Sequence, residues 1–424
     1  MKKLLVLVSL LALMACQPST SQELPTRVQV VVLPTETSTL TPTIPVGTVP
    51  STFTPSAEEF EVATAAQVVD VAGIETAVFT STPVIPTRTQ IPPTLTPTRF
   101  RFTTSTPDAI LPTETPPIVK PIDQYLPNEI IPYQAFPKPP NDNGWGMHWV
   151  PTVSQEPQVV DRFVDEMVRM HIKWVVFLND GTNIGNNDYL VDKLVTNDIM
   201  PVMRLFRSGV QPYDGNVGAL VRHYRPRGVY YYQLYNEPNV NIENPQGFSN
   251  PNQYALTWAS AAREVIANGG LPGIAALSPG GEYNHFDFLD RTLGAIIYNG
   301  DGHLLNHTWL SVHNYHGVRA LDDPGGFLLF RSYNEIVRNR IGRSLPVIGT
   351  EGGSYSTDKA VETQLISWQY RYMADAEPYY FVFTYWLIAN REGGGWDPAW
   401  EWQSLVQPGF VHPVITEFFY QNNR

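Results

Sequence analysis

From about Asn143 onward, short apolar runs alternate with longer stretches in which apolar residues recur every three or four positions. "GWGMHWV" (144–150) reads as a strand. "PQVVDRFVDEMVRMH" (157–171) puts Val160, Phe163, Val164, Met167 and Met170 on one helical face behind a proline start. The pair then repeats. Strands at 172–180, 200–206 and 229–235 precede helices at 187–198, 216–224 and 252–269. Strands at 273–279, 307–315, 345–351 and 379–388 precede helices at 285–297, 332–341, 359–374 and 413–421.

Eight strand and helix pairs in about 280 residues match a (β/α)8 TIM barrel, an α/β fold, in both count and length. A doubly wound open sheet is the competing arrangement. Its glycine-rich turn after the first strand is missing: neither G-x-G-x-x-G nor G-x-x-x-x-G-K occurs.

Ahead of this region the texture is different. Of the 38 prolines, 22 precede residue 141, and residues 16–125 are dominated by Thr, Pro, Ser and Val, so the folded part is a single domain over 140–424. Such a Thr/Pro segment buries too little apolar surface to offset its chain entropy, and a disordered stalk is expected. A more apolar, acidic patch at 58–78 interrupts it and receives no function. Lys2 and Lys3 precede an apolar run from Leu4 to Met14, the pattern of a signal peptide over residues 1–15 and too short to span a bilayer. Leu13, Met14, Ala15 and Cys16 resemble a bacterial lipobox, in which the cysteine receives lipid. The expectation is a lipoprotein anchored to the outer face of the bacterial cell membrane through Cys16, its domain held off by the stalk.

Cys16 is the only cysteine, which excludes disulfides, thiolate metal clusters and a catalytic thiol in the folded part. A formal net charge of −12 with no concentrated basic patch argues against a nucleic-acid partner. A monomer is expected, without metal or organic cofactor.

The fourth strand, "VYYYQLY", runs into Asn236 and Glu237, and the seventh, "LPVIG", into Thr350 and Glu351. Polar residues closing apolar strands of such a barrel point into the cleft at its C-terminal face. Gly352 and Gly353 then permit a sharp backbone departure. Two facing carboxyl groups suit glycosidic bond cleavage, where one arrives protonated to release the leaving oxygen and the other is ionised. Flanked by Tyr235 and Pro238, Glu237 is the candidate for the acid form, and Glu351 for the charged partner. Each has a plainer alternative: a capping carboxylate for Glu237, an ion pair with a neighbouring arginine for Glu351.

"YNEPN" ending strand four, "SVHNYHG" ending strand six, "GTEGG" ending strand seven and "FTYWL" in strand eight resemble the clan of retaining barrel glycoside hydrolases that includes families 5 and 39. The resemblance covers about 280 residues and implies a double-displacement hydrolase of β-linked oligo- or polysaccharides. It makes Glu237 the acid/base, Glu351 the nucleophile and Asn236 the ligand of the sugar 2-hydroxyl. His313 and Tyr315 would orient the nucleophile and substrate, and Trp386 would floor the cleavage subsite. The clan commonly carries an arginine late in strand two, where "IKWVVFLND" offers none; Arg204 or Arg207, in or after strand three, would substitute.

Trp396, Trp400 and Trp402 lie in the loop after strand eight, and Trp145 and Trp149 in strand one, as candidate sugar-stacking rings or as ordinary packing. His313 and His316 are spaced as H-x-x-H, which on a strand puts them on opposite faces. Two other classes compete with the hydrolase. A non-catalytic carbohydrate-binding lipoprotein would keep the groove without turnover. A metal-dependent hydrolase would need three or more His, Asp or Glu side chains converging at the barrel mouth.

Overall fold

The computed structural model describes residues 119–422 apart from 154, 318 and 392–397. The expected signal peptide, Cys16 and the expected stalk as far as residue 118, together with Trp396, lie outside the described residues.

The barrel closes. Its strands are β1 Trp145–His148, β2 Trp174–Asp180, β3 Met200–Phe206, β4 Tyr231–Leu234, β5 Leu271–Leu277, β6 Trp309–His313, β7 Val347–Glu351 and β8 Tyr380–Tyr385. They run parallel in sequential order, and β1 returns to β8 with Gly146 opposite Thr384. Between them stand α1 Pro157–Arg169, α2 Asp188–Thr196, α3 Val217–Tyr224, α4 Pro251–Ala267, α5 His285–Tyr298, α6 Leu329–Ile341 and α7 Lys359–Tyr372. After β8 come a small antiparallel pair, β9 Val406–Gln407 with β10 Phe410–Val411, and the short α8 Pro413–Glu417.

Local chemistry sets these boundaries. Pro157 opens α1, whose buried face is Val160, Phe163, Val164 and Met167. Asn250, Asn284 and Asp358 cap α4, α5 and α7 by accepting backbone N–H groups of the first turn. The last helix falls short of its expected span of 413–421: a 3-10 turn, Phe419–Gln421, replaces its end. Phe418 and Phe419 there pack around Trp145 and Tyr370, so ring packing overrides helical periodicity.

The N-terminal half of the barrel is filled by Trp174, Val176, Met200, Val202, Tyr231, Leu271, Trp309, Ile348 and Phe381. Residues 119–143 lie across that end. The Trp174 indole donates to Asp142 at 2.7 Å and the Tyr231 hydroxyl to the Pro137 carbonyl at 2.5 Å. Ile122 and Tyr125 also pack on this cluster, so packed structure begins before the boundaries expected from composition. At the opposite, C-terminal end, His313 and Glu351 close β6 and β7, and Glu237 follows β4.

Candidate active site

Glu237 follows β4 on a backbone that departs from strand geometry. Tyr235 (φ +64°) and Glu237 (φ +39°) are left-handed without being glycine, which the surrounding structure must impose. The neighbouring strand shows how. In β5, Ala275 (φ +78°) and Ala276 (φ +54°) are also left-handed, and the register against β6 shifts between Ala275 and Leu277. The Glu237 N–H donates to the Ala276 carbonyl at 2.9 Å, so this bulge sets the height from which the Glu237 side chain leaves.

Glu351 ends β7, and the expected sharp exit follows it. A Cβ at Gly352 would stand 2.4 Å from the Phe383 ring, so only glycine fits there. Arg204 Nη1 donates to Glu351 Oε1 at 2.5 Å and the Tyr315 hydroxyl to Oε2 at 3.0 Å. Burial alone would raise this carboxyl, but His313, Arg204, His148 and the Tyr315 hydroxyl outweigh it and hold it below its ordinary value.

His313, at the end of β6, stands between the two acids. Its Nδ1 lies 3.0 Å from Glu237 Oε1, and its Nε2 lies 3.6 Å from Glu351 Oε1. One ligand-type atom each from Glu237, His313 and Glu351 falls within a mutual 4.8 Å, so the carboxyl groups 114 positions apart in sequence do converge. Their surroundings differ: the Glu237 side chain is 26% exposed, that of Glu351 10%.

Such a trio has the composition of a metal site, and its fit is decided by what already holds it. A divalent cation here would lie beside the guanidinium of Arg204, which occupies Glu351 Oε1 from a side chain itself 10% exposed. The donor set is thus neutralised by a fixed protein cation and fits a metal poorly.

The remaining expectations sort cleanly. Of the two arginines proposed beside the nucleophile, Arg204, on β3, pairs with Glu351, and Arg207 instead pairs with Asp214 on the surface. Asn236 is half-buried, its amide bonded to Glu243 and its Oδ1 buried without a hydrogen-bond partner among the described residues. Trp386 is 5% exposed, its ring centroid 4.2 Å from that of His148 and 5.2 Å from that of Trp400. Trp145 and Trp149 do not face the cleft: Trp145 packs on Phe418, Phe419 and Tyr370, and Trp149 edge-on to Phe163. His316 points to the Gly353 carbonyl and is absent from the acidic trio.

Two residues of the site went unread in the sequence. His148 closes the apolar β1, and burial pushes its imidazole down to about 4, so it is neutral; Nδ1 lies 2.9 Å from the Trp149 carbonyl. Glu243 sits in the loop after β4, its carboxyl raised by burial, with Arg204 opposing and Glu237 reinforcing the shift. His148 obeyed the same rule that found Glu237, a polar residue ending an apolar strand. Two clefts lined by other residues occur elsewhere, one of about 450 Å³ between Lys138, Asp142, Trp145, Arg371 and Phe381 at the N-terminal end of the barrel.

No family model matches this chain, and no curated protein does. Among solved structures it is similar to an endo-β-1,3-glucanase of family 128 from Pseudomonas viridiflava, at 14% identity and a TM-score of 0.45, over 66% of this chain and 98% of that one. A family 39 glycoside hydrolase from Bacteroides cellulosilyticus aligns at 12% identity and a TM-score of 0.46, over 65% of this chain and 62% of that one. An endo-1,4-β-mannanase from Rhizomucor miehei aligns at 11% identity and a TM-score of 0.40, over 60% and 87%. At these values the functional reading rests on the side chains of this chain itself.

Proposed function

We propose that the barrel is a retaining glycoside hydrolase acting on β-linked oligo- or polysaccharides through Glu351 as nucleophile and Glu237 as acid/base. One observation carries the reading: one oxygen of each carboxyl, from separate parts of the ring, lies within 4.8 Å of the other over the barrel mouth. Retaining enzymes hold their carboxyl groups about 5–5.5 Å apart, whereas inverting ones leave about 6.5–9.5 Å for a water.

In the first step a Glu351 oxygen bonds to the anomeric carbon as the glycosidic C–O bond breaks, and Glu237 gives its proton to the leaving oxygen. Each Glu351 oxygen has two lone pairs, so accepting from Arg204 or Tyr315 still leaves one for attack. In the second step Glu237 takes a proton from water, the hydroxide oxygen bonds to the same carbon, and Glu351 leaves as carboxylate. Glu237 is the more exposed acid, which suits the group that must exchange protons with water. His313 serves both states: Nδ1–H donates to ionised Glu237, and Nδ1 accepts from protonated Glu237 while Nε2–H faces Glu351. By the family resemblance Asn236 would bind a sugar hydroxyl and Trp386 would floor the cleavage subsite; Asn236 is half-buried next to Glu237, and Trp386 lies against His148. The amino-terminal signal and Cys16 support placing this activity at a lipid-anchored cell surface, which radiolabelled palmitate incorporation abolished by Cys16→Ser would test.

The deciding experiment is labelling with activated 2-fluoro-glycosides of several sugars followed by peptide mapping. A covalent adduct on Glu351, with turnover lost in Glu351→Gln, is expected; inverted anomeric product by NMR, or an adduct elsewhere, refutes the assignment. A non-catalytic binder would leave wild type unlabelled while glycan binding survives in Glu351→Gln. Convergence of the Glu237–His313–Glu351 trio is the one observation favouring a metal-dependent hydrolase, and chelator-sensitive activity restored by a divalent ion would establish it.

A further inference from the structure

One flank of the cleft is built from aromatic rings continuous with Glu351. Tyr315, which donates to Glu351, stacks on Tyr355 with centroids 5.8 Å apart and planes at 28°. Tyr355 meets Trp402 at 6.0 Å and 65°. Trp386, beside His148, meets Trp400 at 5.2 Å and 87°. Both runs end on a single 3-10 segment of the β8–α8 loop, Pro398–Gln403, which carries Trp400 and Trp402. Every member belongs to a loop or strand end after β6, β7 or β8, on the C-terminal face.

Packing alone does not account for this wall. The contacts of Trp386 with Trp400 and of Tyr355 with Trp402 are edge contacts, which hold a ring in place without covering both its faces. Tyr355 remains 47% exposed, and Trp400 and Trp402 38% each, while nearer the acids Tyr315 is half-buried and Trp386 buried. Exposed aromatic surface fixed in orientation beside a polar cleft matches a ligand with alternating apolar faces and hydroxyl edges, which is the surface of a pyranose chain.

We infer that Tyr355, Trp400 and Trp402 form sugar-binding positions beyond the cleaved linkage, so the substrate is a glycan chain of three or more units rather than a disaccharide. The inference rests on the glycoside hydrolase reading and names the class of substrate that reading leaves open. Each added unit that reaches the wall buries ring surface and tightens binding, and units that cannot reach it add nothing.

The test uses the full chain carrying Glu351→Gln, titrated calorimetrically with β-1,3- and β-1,4-linked gluco-oligosaccharides and β-1,4-mannooligosaccharides of two to six units. For one series, affinity should rise by about tenfold or more between two and five units. The rise should collapse when Tyr355→Ala and Trp402→Ala are added, with circular dichroism unchanged. Tyr355→Ala alone, at a half-exposed ring, should lose part of it and keeps the test open should the Trp402 variant misfold. Length-independent affinity, a rise that persists without both rings, or no binding by any series overturns the inference. Its failure is separable from that of the hydrolase reading: wild-type protein that is labelled at Glu351 and cleaves disaccharides as fast as longer chains refutes the wall alone.

Discussion

Replacing Arg204 by Met isolates the electrostatics on which the nucleophile assignment depends. The guanidinium donates to Glu351 Oε1 at 2.5 Å, and both side chains are 10% exposed, so water replaces little of what is lost. Breaking a buried pair by removing one partner costs about 3–5 kcal/mol when the stranded charge persists. Glu351 has an escape, which is to take up a proton, and this gives the loss its pH dependence. In the wild type the Glu351 carboxyl is depressed, so its contribution to stability is present above the unfolded value of about 4.3 and disappears as pH falls through the lower folded value. In Arg204→Met, burial is opposed only by His313, His148 and Tyr315, and the carboxyl rises. Its contribution then changes sign: stability falls by about 1.4 kcal/mol per pH unit above about pH 4.3, until the new folded value is passed. The gap between wild type and variant should therefore be small near pH 4 and reach about 3 kcal/mol near neutrality. Urea unfolding at a series of pH values measures it. The acid limb of kcat/KM should move up by a pH unit or more, because the nucleophile must be ionised. A stability loss independent of pH, with the acid limb unmoved, would show that Arg204 only packs and would remove the electrostatic case for Glu351.

Tyr315→Phe deletes the donor to Glu351 Oε2 and should lower kcat/KM roughly 10- to 100-fold, the worth of about 1.5–3 kcal/mol for a bond to a charged group; steady-state kinetics on an aryl glycoside reads it. Ala275→Gly with Ala276→Gly relieves left-handed strain of about 1 kcal/mol per residue against a comparable glycine entropy cost, so the thermal midpoint should hardly move. The same pair should lower kcat by about tenfold or more at similar KM, because the bulge carrying Glu237 loosens; unchanged kcat would show that the bulge does not position the acid. His148, His285 and His316 are each pushed down to about 4 by burial, so each is neutral when folded and protonates on unfolding. Stability should be complete above about pH 6.5 and fall as pH drops toward 4, by about 1.4 kcal/mol per pH unit for each proton taken up. A stability plateau across that interval in denaturant titrations would contradict it.

The barrel was legible because its two periods alternate without interruption, and period is what backbone geometry imposes most directly on sequence. Element ends were less legible where tertiary packing decided them: Phe418 and Phe419 leave the helical path to meet Trp145 and Tyr370. The segment around Ile122 and Tyr125 was invisible for the opposite reason. Scattered apolar residues among prolines carry no period, and only the hollow end of the barrel gives them something to cover.

The site divides along the same line. Glu237 and Glu351 could be read because each is a charge closing an apolar strand, a local contradiction that only a shared cleft resolves. His148 is the same contradiction at the end of β1, its imidazole less conspicuous than a carboxylate among apolar residues. Arg204 is different in kind. It sits inside β3, opposite Leu178 and Gln233, and no neighbour in sequence says whether its side chain turns into the barrel or out among the helices. The resemblance offered Arg204 or Arg207 for the role, and closure decides between them by bringing β3 and β7 to bear on a common volume, so that an arginine on one can neutralise a glutamate on the other. The ionisation of the proposed nucleophile is thus favoured, alongside His313, by a partner 147 positions away. Strand order, not strand composition, is what makes such a partner findable: once the ring is closed, any buried cation near the C-terminal ends of its strands has an anion to seek, and β7 supplies one.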